Sequence, residues 1–387
     1  MSLTEVATPS AQPGSATDRG PHRVQAGLLD PTMLWKSLPA SLGKLHPDYL
    51  TGLDYLVTEQ PDRALDMFLR LMDANADTIE THFALGSLYR RRGEVERAIR
   101  IHQNLLARAA LAPEHREQAL LALAQDYLRA GLLDRAEGLF QQVSEVPRLR
   151  ASALDALRLV YERQHDWLQA LGAYRQLARI KAAPPRIVAA HYLCELATLA
   201  IERGDTADAR RLLREARGEA TPFPRAALLR AQIAERDAQP ELAVRLLRQA
   251  LLESPELLQE QLPHLLKLVE PQALDSVLAE LVTQAKSRDF SELKHLVFAA
   301  IAADLVGAEP LRTSIETVFS QDPTLQAVWR AGPAQYERMA LEVGALLAHA
   351  EKYRCNECGF SGRSFYWHCP ACHTWDSFEA YAIVKLR

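Results

Sequence analysis

Leu85-Gly86-Ser87-Leu88-Tyr89, followed by Gly93 and Ala98, is the stretch on which the reading of this 387-residue chain turns. Its elements return at a fixed spacing. Ala64 and Ala98 stand 34 residues apart, as do Ala136 and Ala170, and again Ala209 and Ala243. Nine positions before five of these alanines lie Tyr55, Tyr89, Tyr127, Tyr161 and Ala200; four positions after them lie Phe68, His102, Phe140, Tyr174, Leu213 and Leu247. A further small residue comes three before the tyrosine position, as Gly52, Gly86, Ala124 and Ala197, with Arg158 breaking the pattern in the fourth unit. Residues three and four apart share one face of a helix. Small residues at two facing positions therefore let two helices approach closely, while the aromatic and aliphatic positions fill the groove towards the next pair.

Turn chemistry agrees. Gly93, Gly131 and Gly204 fall between the two helices of a unit, where a left-handed residue ends a helix without a Cβ clash. Spacing stretches only around Pro113 and Pro184-Pro185, in the connections, so the packing register survives. A 34-residue helix–turn–helix period with these positions resembles the tetratricopeptide repeat. The expected fold is all-α, a tetratricopeptide-repeat right-handed superhelix closed by a small C-terminal rubredoxin-like metal-binding β module. Residues 1–44, rich at their start in Ser, Thr, Pro, Gly and Ala, are expected to be a disordered or loosely packed arm. Residues 45–254 hold six repeats. Residues 255–350 carry further degenerate helical repeats, with one more unit plausible over 292–324, and 351–387 form the closing module.

Composition narrows the function classes. Lys and Arg total 45 against 49 Asp and Glu, a net charge of −4 that argues against general nucleic-acid binding. The longest uninterrupted apolar run, residues 296–303, is far short of the roughly 20 that a membrane span needs. Nothing near the start has the layout of a signal peptide. Met33, Leu34, Trp35, Leu38, Leu42 and Leu45 form a weak amphipathic stretch interrupted by Pro39, read as an arm on the first helix rather than a membrane-surface helix.

The sharpest chemical signal is Cys355-x-x-Cys358, then Cys369-x-x-Cys372. Clustered pairs in a chain without an export signal point to a metal site in a reducing compartment rather than to disulfides. Four thiolates in two tight turns suit a tetrahedral site with metal–sulfur distances of about 2.3 Å. One zinc or iron ion fits such a set, and the residues alone do not choose between them. Four protein sulfurs leave no open position for substrate, so the metal is read as structural. His368 and His373, next to two of the cysteines, are given surface or supporting roles. Seven aromatics between Tyr353 and Phe378, against 7% in the whole chain, indicate a mini-fold of its own, and residues 379–385 suit a strand closing a small sheet.

Other candidates are bland. There is no phosphate-binding glycine loop, zinc-protease helix or nucleophile elbow. Cys194, among Tyr192, Leu193 and Leu196, is read as a packed core thiol. Arg90-Arg91-Arg92 and the group Arg210, Arg211, Arg214 and Arg217 are accompanied by Glu94, Glu96, Glu215 and Glu219, and are read as solvated helix faces, with contacts to acidic partners as the alternative. No constellation makes the chain an enzyme. An electron carrier and a nucleic-acid-binding zinc ribbon stay as competing readings, as does a general interaction scaffold of another pathway. A small carrier has no need of nine-tenths of this chain.

Tyr353-Arg354-Cys355-Asn356-Glu357-Cys358-Gly359-Phe360, then Tyr366-Trp367-His368-Cys369-Pro370 with Cys372 and Trp375, is similar to the ending of the lipopolysaccharide assembly protein B family. The repeat from Gly93 to Gln103 resembles that family too, and the likeness spans roughly residues 46–378. It implies a non-enzymatic adaptor at the cytoplasmic face of the Gram-negative inner membrane. There it would lower lipopolysaccharide synthesis by helping a membrane-bound AAA+ metalloprotease degrade the committed-step lipid A deacetylase. The resemblance also implies iron in the four-cysteine site and close docking of that module against the repeats. Implied partners are the protease, the deacetylase and other lipopolysaccharide-synthesis proteins, with no nucleic acid and a possible homo-oligomer. The family begins with a transmembrane helix and residues 1–45 here carry none, so membrane association is expected through partners.

Overall fold

In the computed structural model the repeat period becomes a stack of helix hairpins. The structure describes residues 47–58, 60–73, 79–254, 257–270, 273–288, 296–297, 300, 309–321 and 351–380. Helix α1 (Pro47–Val57) pairs with α2 (Pro61–Asp73), α3 (Ile79–Arg91) with α4 (Val95–Leu106), and α5 (Pro113–Arg129) with α6 (Leu133–Ser144). Then α7 (Arg150–Gln164) pairs with α8 (Trp167–Arg179), α9 (Arg186–Glu202) with α10 (Thr206–Glu219), and α11 (Pro224–Arg236) with α12 (Pro240–Glu253). Beyond them α13 (Leu258–Leu268), α14 (Leu274–Arg288) and α15 (Glu309–Gln321) continue the helical chain. The arm expected over 1–44 and about half of the unit expected over 292–324 lie outside the described residues.

Each position in the sequence pattern has a packing reason. All six period-marking alanines, Ala64 to Ala243, are fully buried. A Cβ added at Gly52 would stand 2.7 Å from the Phe68 ring, and one at Gly86 2.5 Å from the His102 ring, so the small residue and the large one opposite it are a matched pair. The first helices of neighbouring hairpins are tied by arginines. Arg90 reaches across to Asp126 (2.6 Å) and donates to the carbonyl of Ala122 (3.2 Å). Arg163 donates to Leu128 O (3.0 Å) and Arg236 to Ile201 O (2.7 Å), each bridging the first helices of adjacent hairpins.

The hairpin turns are more uniform than the sequence. Gly93, Gly131 and Gly204 have φ of 82°, 76° and 80°. The same position, five before the alanine, is His165 (φ 57°) in the fourth unit and Ala238 (φ 55°) in the sixth. Holding a non-glycine residue left-handed costs roughly 1–2 kcal/mol. It is offset by a closing bond common to all five turns. The amides of Glu94, Leu132, Asp166, Asp205 and Gln239 donate to the carbonyls of Tyr89, Tyr127, Tyr161, Ala200 and Ala234 at 2.8–2.9 Å. That bond is the outer one of the glycine-type helix stop, and here it forms whether or not glycine is present.

The C-terminal module is a three-stranded antiparallel sheet of order β2-β1-β3, with β1 Tyr353–Cys355, β2 Ser361–Gly362 and β3 Phe378–Ala380. Tyr353 pairs with Gly362 on one side and Ala380 on the other. The strand expected over 379–385 is present to Ala380, and the remainder lies outside the described residues. Among the described residues no helix is long and apolar enough to cross a membrane.

Candidate metal centre

Two knuckles of the same backbone shape present the four sulfurs. In the first, Gly359 is left-handed (φ 76°) and its amide donates to Cys355 O at 2.9 Å; in the second, His373 is left-handed (φ 59°) and its amide donates to Cys369 O at 2.9 Å. The amides of Glu357 and Cys358 point at the Cys355 sulfur, and those of Ala371 and Cys372 at the Cys369 sulfur. Cys355 and Cys369 are buried, while Cys358 and Cys372 are half-buried.

The four Sγ atoms lie within 4.8 Å of one another, with Cys355 to Cys372 and Cys358 to Cys369 each at 3.7 Å, and no disulfide forms among them. A regular tetrahedron with bonds of about 2.3 Å has edges of roughly 3.8 Å, so the sulfurs have the spacing that a zinc or iron ion requires. Their surroundings set the thiol acidities apart. Burial opposes ionisation of Cys355, yet bonds from Ser377 and the amides of Cys358 and Glu357 bring its thiol down to about 7. Burial, aided by the neighbouring thiols of Cys372 and Cys358, pushes Cys369 up to about 12, and burial with Cys355 and Cys372 also raises Cys358.

The two neighbouring histidines have other work. His373 supplies the left-handed turn of the second knuckle. His368 donates from Nε2 to the His373 carbonyl (3.0 Å), and its ring stacks on Trp375 at 4.3 Å. Cys194 is fully buried in the repeat core, and burial pushes its thiol up to about 12, as suits an inert packed sulfur.

The structure corrects one expectation. The aromatics of the module do not all serve a mini-fold of its own: Tyr353 and Phe378 fill its small core, but Trp375 belongs to the core of the middle repeats and Trp367 packs against it. A sheet of strands this short cannot enclose two indoles, so they are turned onto the helices. Trp375 Nε1 donates to Glu162 Oε1 (3.1 Å), and the indole stacks on His191 at 4.6 Å. Glu162, 3% exposed, also accepts from Arg158 Nη1 (2.9 Å) and from the Tyr192 hydroxyl. Arg158 donates in addition to Tyr192 (3.0 Å) and Asp155 (2.8 Å). Although burial disfavours its charge, Tyr192, Glu162 and Asp155 hold the guanidinium above its usual range. Further along, Glu260 accepts from the Phe365 amide at 2.6 Å. The module thus seats across α7, α9, α11 and α13, the first helices of successive hairpins.

None of these seat residues was singled out from sequence as a site, but one carried a signal. Arg158 stands where the repeat wants a small residue. The departure from the pattern marks the place where the stack receives something from outside itself.

His191 links the two parts electrostatically. Arg225 Nη1 lies 3.1 Å from its Nδ1 and Asp376 Oδ2 lies 2.8 Å from its Nε2. A guanidinium only donates, so Nδ1 accepts and the ring proton sits on Nε2, towards Asp376. Burial holds the His191 pKa below its ordinary 6.5, against the opposite pull of Asp376; Arg225 adds to the lowering and Glu195 opposes it. Above that value folded and unfolded rings are both neutral. Below it only the unfolded ring takes up a proton, so stability falls as pH falls, by up to about 1.4 kcal/mol per pH unit while the difference persists. Melting temperatures of wild type and His191→Gln at pH 7.5 and 5.5 check this: the wild type is expected to lose more on acidification, and equal losses would refute it.

Comparison with known proteins agrees with both parts. A family model described as rubredoxin metal binding domain matches residues 353–380, and tetratricopeptide repeat models match 81–117 and 194–256. The chain is 30% identical over 348 residues to lipopolysaccharide assembly protein B of Escherichia coli strain K12, covering 87% of this chain and 90% of that protein. It is 29% identical over 361 residues to the protein of the same name from Haemophilus influenzae, with the same coverages. Among solved structures, the C-terminal part of a TPR repeat-containing protein from Cytophaga hutchinsonii aligns over 69% of this chain and 98% of that one, at 11% identity and a TM-score of 0.40.

Proposed function

Because this chain belongs to the lipopolysaccharide assembly protein B family, we propose that it is a non-enzymatic adaptor that regulates lipopolysaccharide synthesis by holding protein partners on its repeats. In this reading Cys355, Cys358, Cys369 and Cys372 bind one iron or zinc ion. The repeats over 45–254 and the helices over 255–350 form the grip, and the module over 351–387 braces it. The supporting observation is that the four sulfurs close on one another and their module is wedged onto the first-helix layer of the stack. An ion held there supplies folding energy and has no free position for a substrate. The partners we assign are a membrane-bound AAA+ metalloprotease and the committed-step lipid A deacetylase, whose degradation the adaptor promotes. Those partners would bring it to the cytoplasmic face of the inner membrane.

Affinity capture from membranes of the host bacterium tests the assignment. Wild type is expected to enrich the protease or the deacetylase, and Cys355→Ser with Cys358→Ser to enrich far less of either. Capture of neither by wild type would refute the adaptor. Elemental analysis with a visible absorption spectrum on freshly purified protein identifies the metal.

A further inference from the structure

The arginine group on α10 divides into two sides in the structure. On one side the charges are balanced: Arg211 pairs with Asp208 (2.6 Å) and approaches Glu215 (3.8 Å), Glu215 also holds Arg175 (2.5 Å), and Glu219 holds Arg186 (2.9 Å). On the other side they are not. Arg214 and Arg217 have no carboxylate partner among the described residues, nor does the half-buried Arg230 that reaches them from α11. Burial and then the nearby Arg217 and Arg214 charges lower the Arg230 pKa, the direction expected of cations gathered without an anion. Arg210, at the edge, is engaged by Asp237.

Arg210, Arg214 and Arg230, but not Arg217, line a cavity of about 140 Å³ together with Ile233, Leu242 and Leu246. That volume is close to the roughly 150 Å³ of a cavity that admits one benzene ring. It suits a single leucine or phenylalanine side chain and is too small for an acyl chain. Forked donors and apolar side chains lining one small cavity match carboxylates flanking one apolar group. Resting on the adaptor reading, we propose that this cavity between α10, α11 and α12 docks an acidic segment of a partner protein, with one apolar side chain inserted and flanking carboxylates on Arg214 and Arg230.

The test uses the full chain and an end-blocked, fluorescein-labelled peptide with one leucine set among glutamates, read by anisotropy. Saturable binding that weakens as salt rises is expected, with a loss of at least about tenfold in Arg214→Glu with Arg230→Glu. Arg214→Gln with Arg230→Gln, a milder change to the fold, is expected to move the same way. Arg211→Glu alters the same helix by the same charge on the balanced side and is expected to stay within about twofold of wild type. Replacing the peptide's leucine by serine is expected to weaken binding by about tenfold. Absence of binding, an equal loss in Arg211→Glu, or indifference to the leucine would overturn the proposal. So would displacement of the peptide by phosphatidylglycerol vesicles, which would assign the site to lipid. The outcome is separable from that of the adaptor reading: host partners captured equally by wild type and the reversed variant would sink the cavity and leave the adaptor standing.

Discussion

Cys355→Ser combined with Cys358→Ser is expected to abolish metal binding and to release the whole module from the repeats. The magnitudes decide the second half of that statement. Apparent binding energies at four-ligand structural sites run to about 10–16 kcal/mol. Docking can retain far less: burying one indole removes roughly 150–250 Å² from water, about 4–6 kcal/mol at 25 cal/mol per Å². The module itself offers three short strands around Tyr353 and Phe378, too little to stay folded unaided. With the ion gone, the anchoring tryptophan has nothing rigid behind it. The expected readouts are no stoichiometric metal by elemental analysis, a red-shifted tryptophan emission as Trp375 and Trp367 meet water, and rapid proteolytic loss of the segment after residue 350. A metal-free variant with unchanged emission and the wild-type digestion pattern would show that docking alone folds the module.

The second large effect is expected at Glu162. Glu162→Ala leaves Arg158 in a buried site with only Asp155 as a carboxylate partner and removes the acceptor for Trp375 and Tyr192. Breaking a buried pair from one side costs about 3–5 kcal/mol, because the surviving charge stays desolvated. Trp375→Phe removes one donor and should cost less, about 1–3 kcal/mol. Arg158→Ala restores the small residue of the other repeats but leaves the buried Glu162 charge without its cation, held by the neutral donors Tyr192 and Trp375 alone. The double variant Arg158→Ala with Glu162→Ala is therefore expected to be more stable than the sum of the two single losses. Urea unfolding of the four proteins measures this. Simple additivity would mean that the two groups do not act as a unit.

How much of this was legible beforehand follows the range of the interactions. The alanine period was readable because it recurs at a constant offset, but the aromatic positions were expected to face the next hairpin, whereas Phe68 and His102 turn onto Gly52 and Gly86 of their own, where the missing Cβ leaves room for a ring. The four cysteines were readable because two local turns bring them most of the way together. His165 and Ala238 hid their left-handed turns, since the backbone bond that closes them leaves no mark on residue type. The seat of the module was hidden for another reason. Glu162 and Trp375 meet once, with no repeat to betray them, and a lone carboxylate in a helix looks like any solvated one. Arg158 alone gave notice, as an exception to a rule. Sorting the α10 arginines likewise needed partners on neighbouring helices, such as Arg175 and Arg186.

The bond from Trp375 to Glu162 joins positions 213 residues apart. Chains emerge from the ribosome N-terminus first and their domains fold in that order. The hairpins can therefore stack while synthesis is still under way, but this clasp cannot shut until Trp375 has been made and has emerged. Any product cut short before Trp375 leaves a slot beside His191 and Tyr192 open to water. Sealing the middle of the stack is thus the task of a metal-loaded module that reaches past Trp375, which ties closure of that slot to synthesis and folding of residues far along the chain.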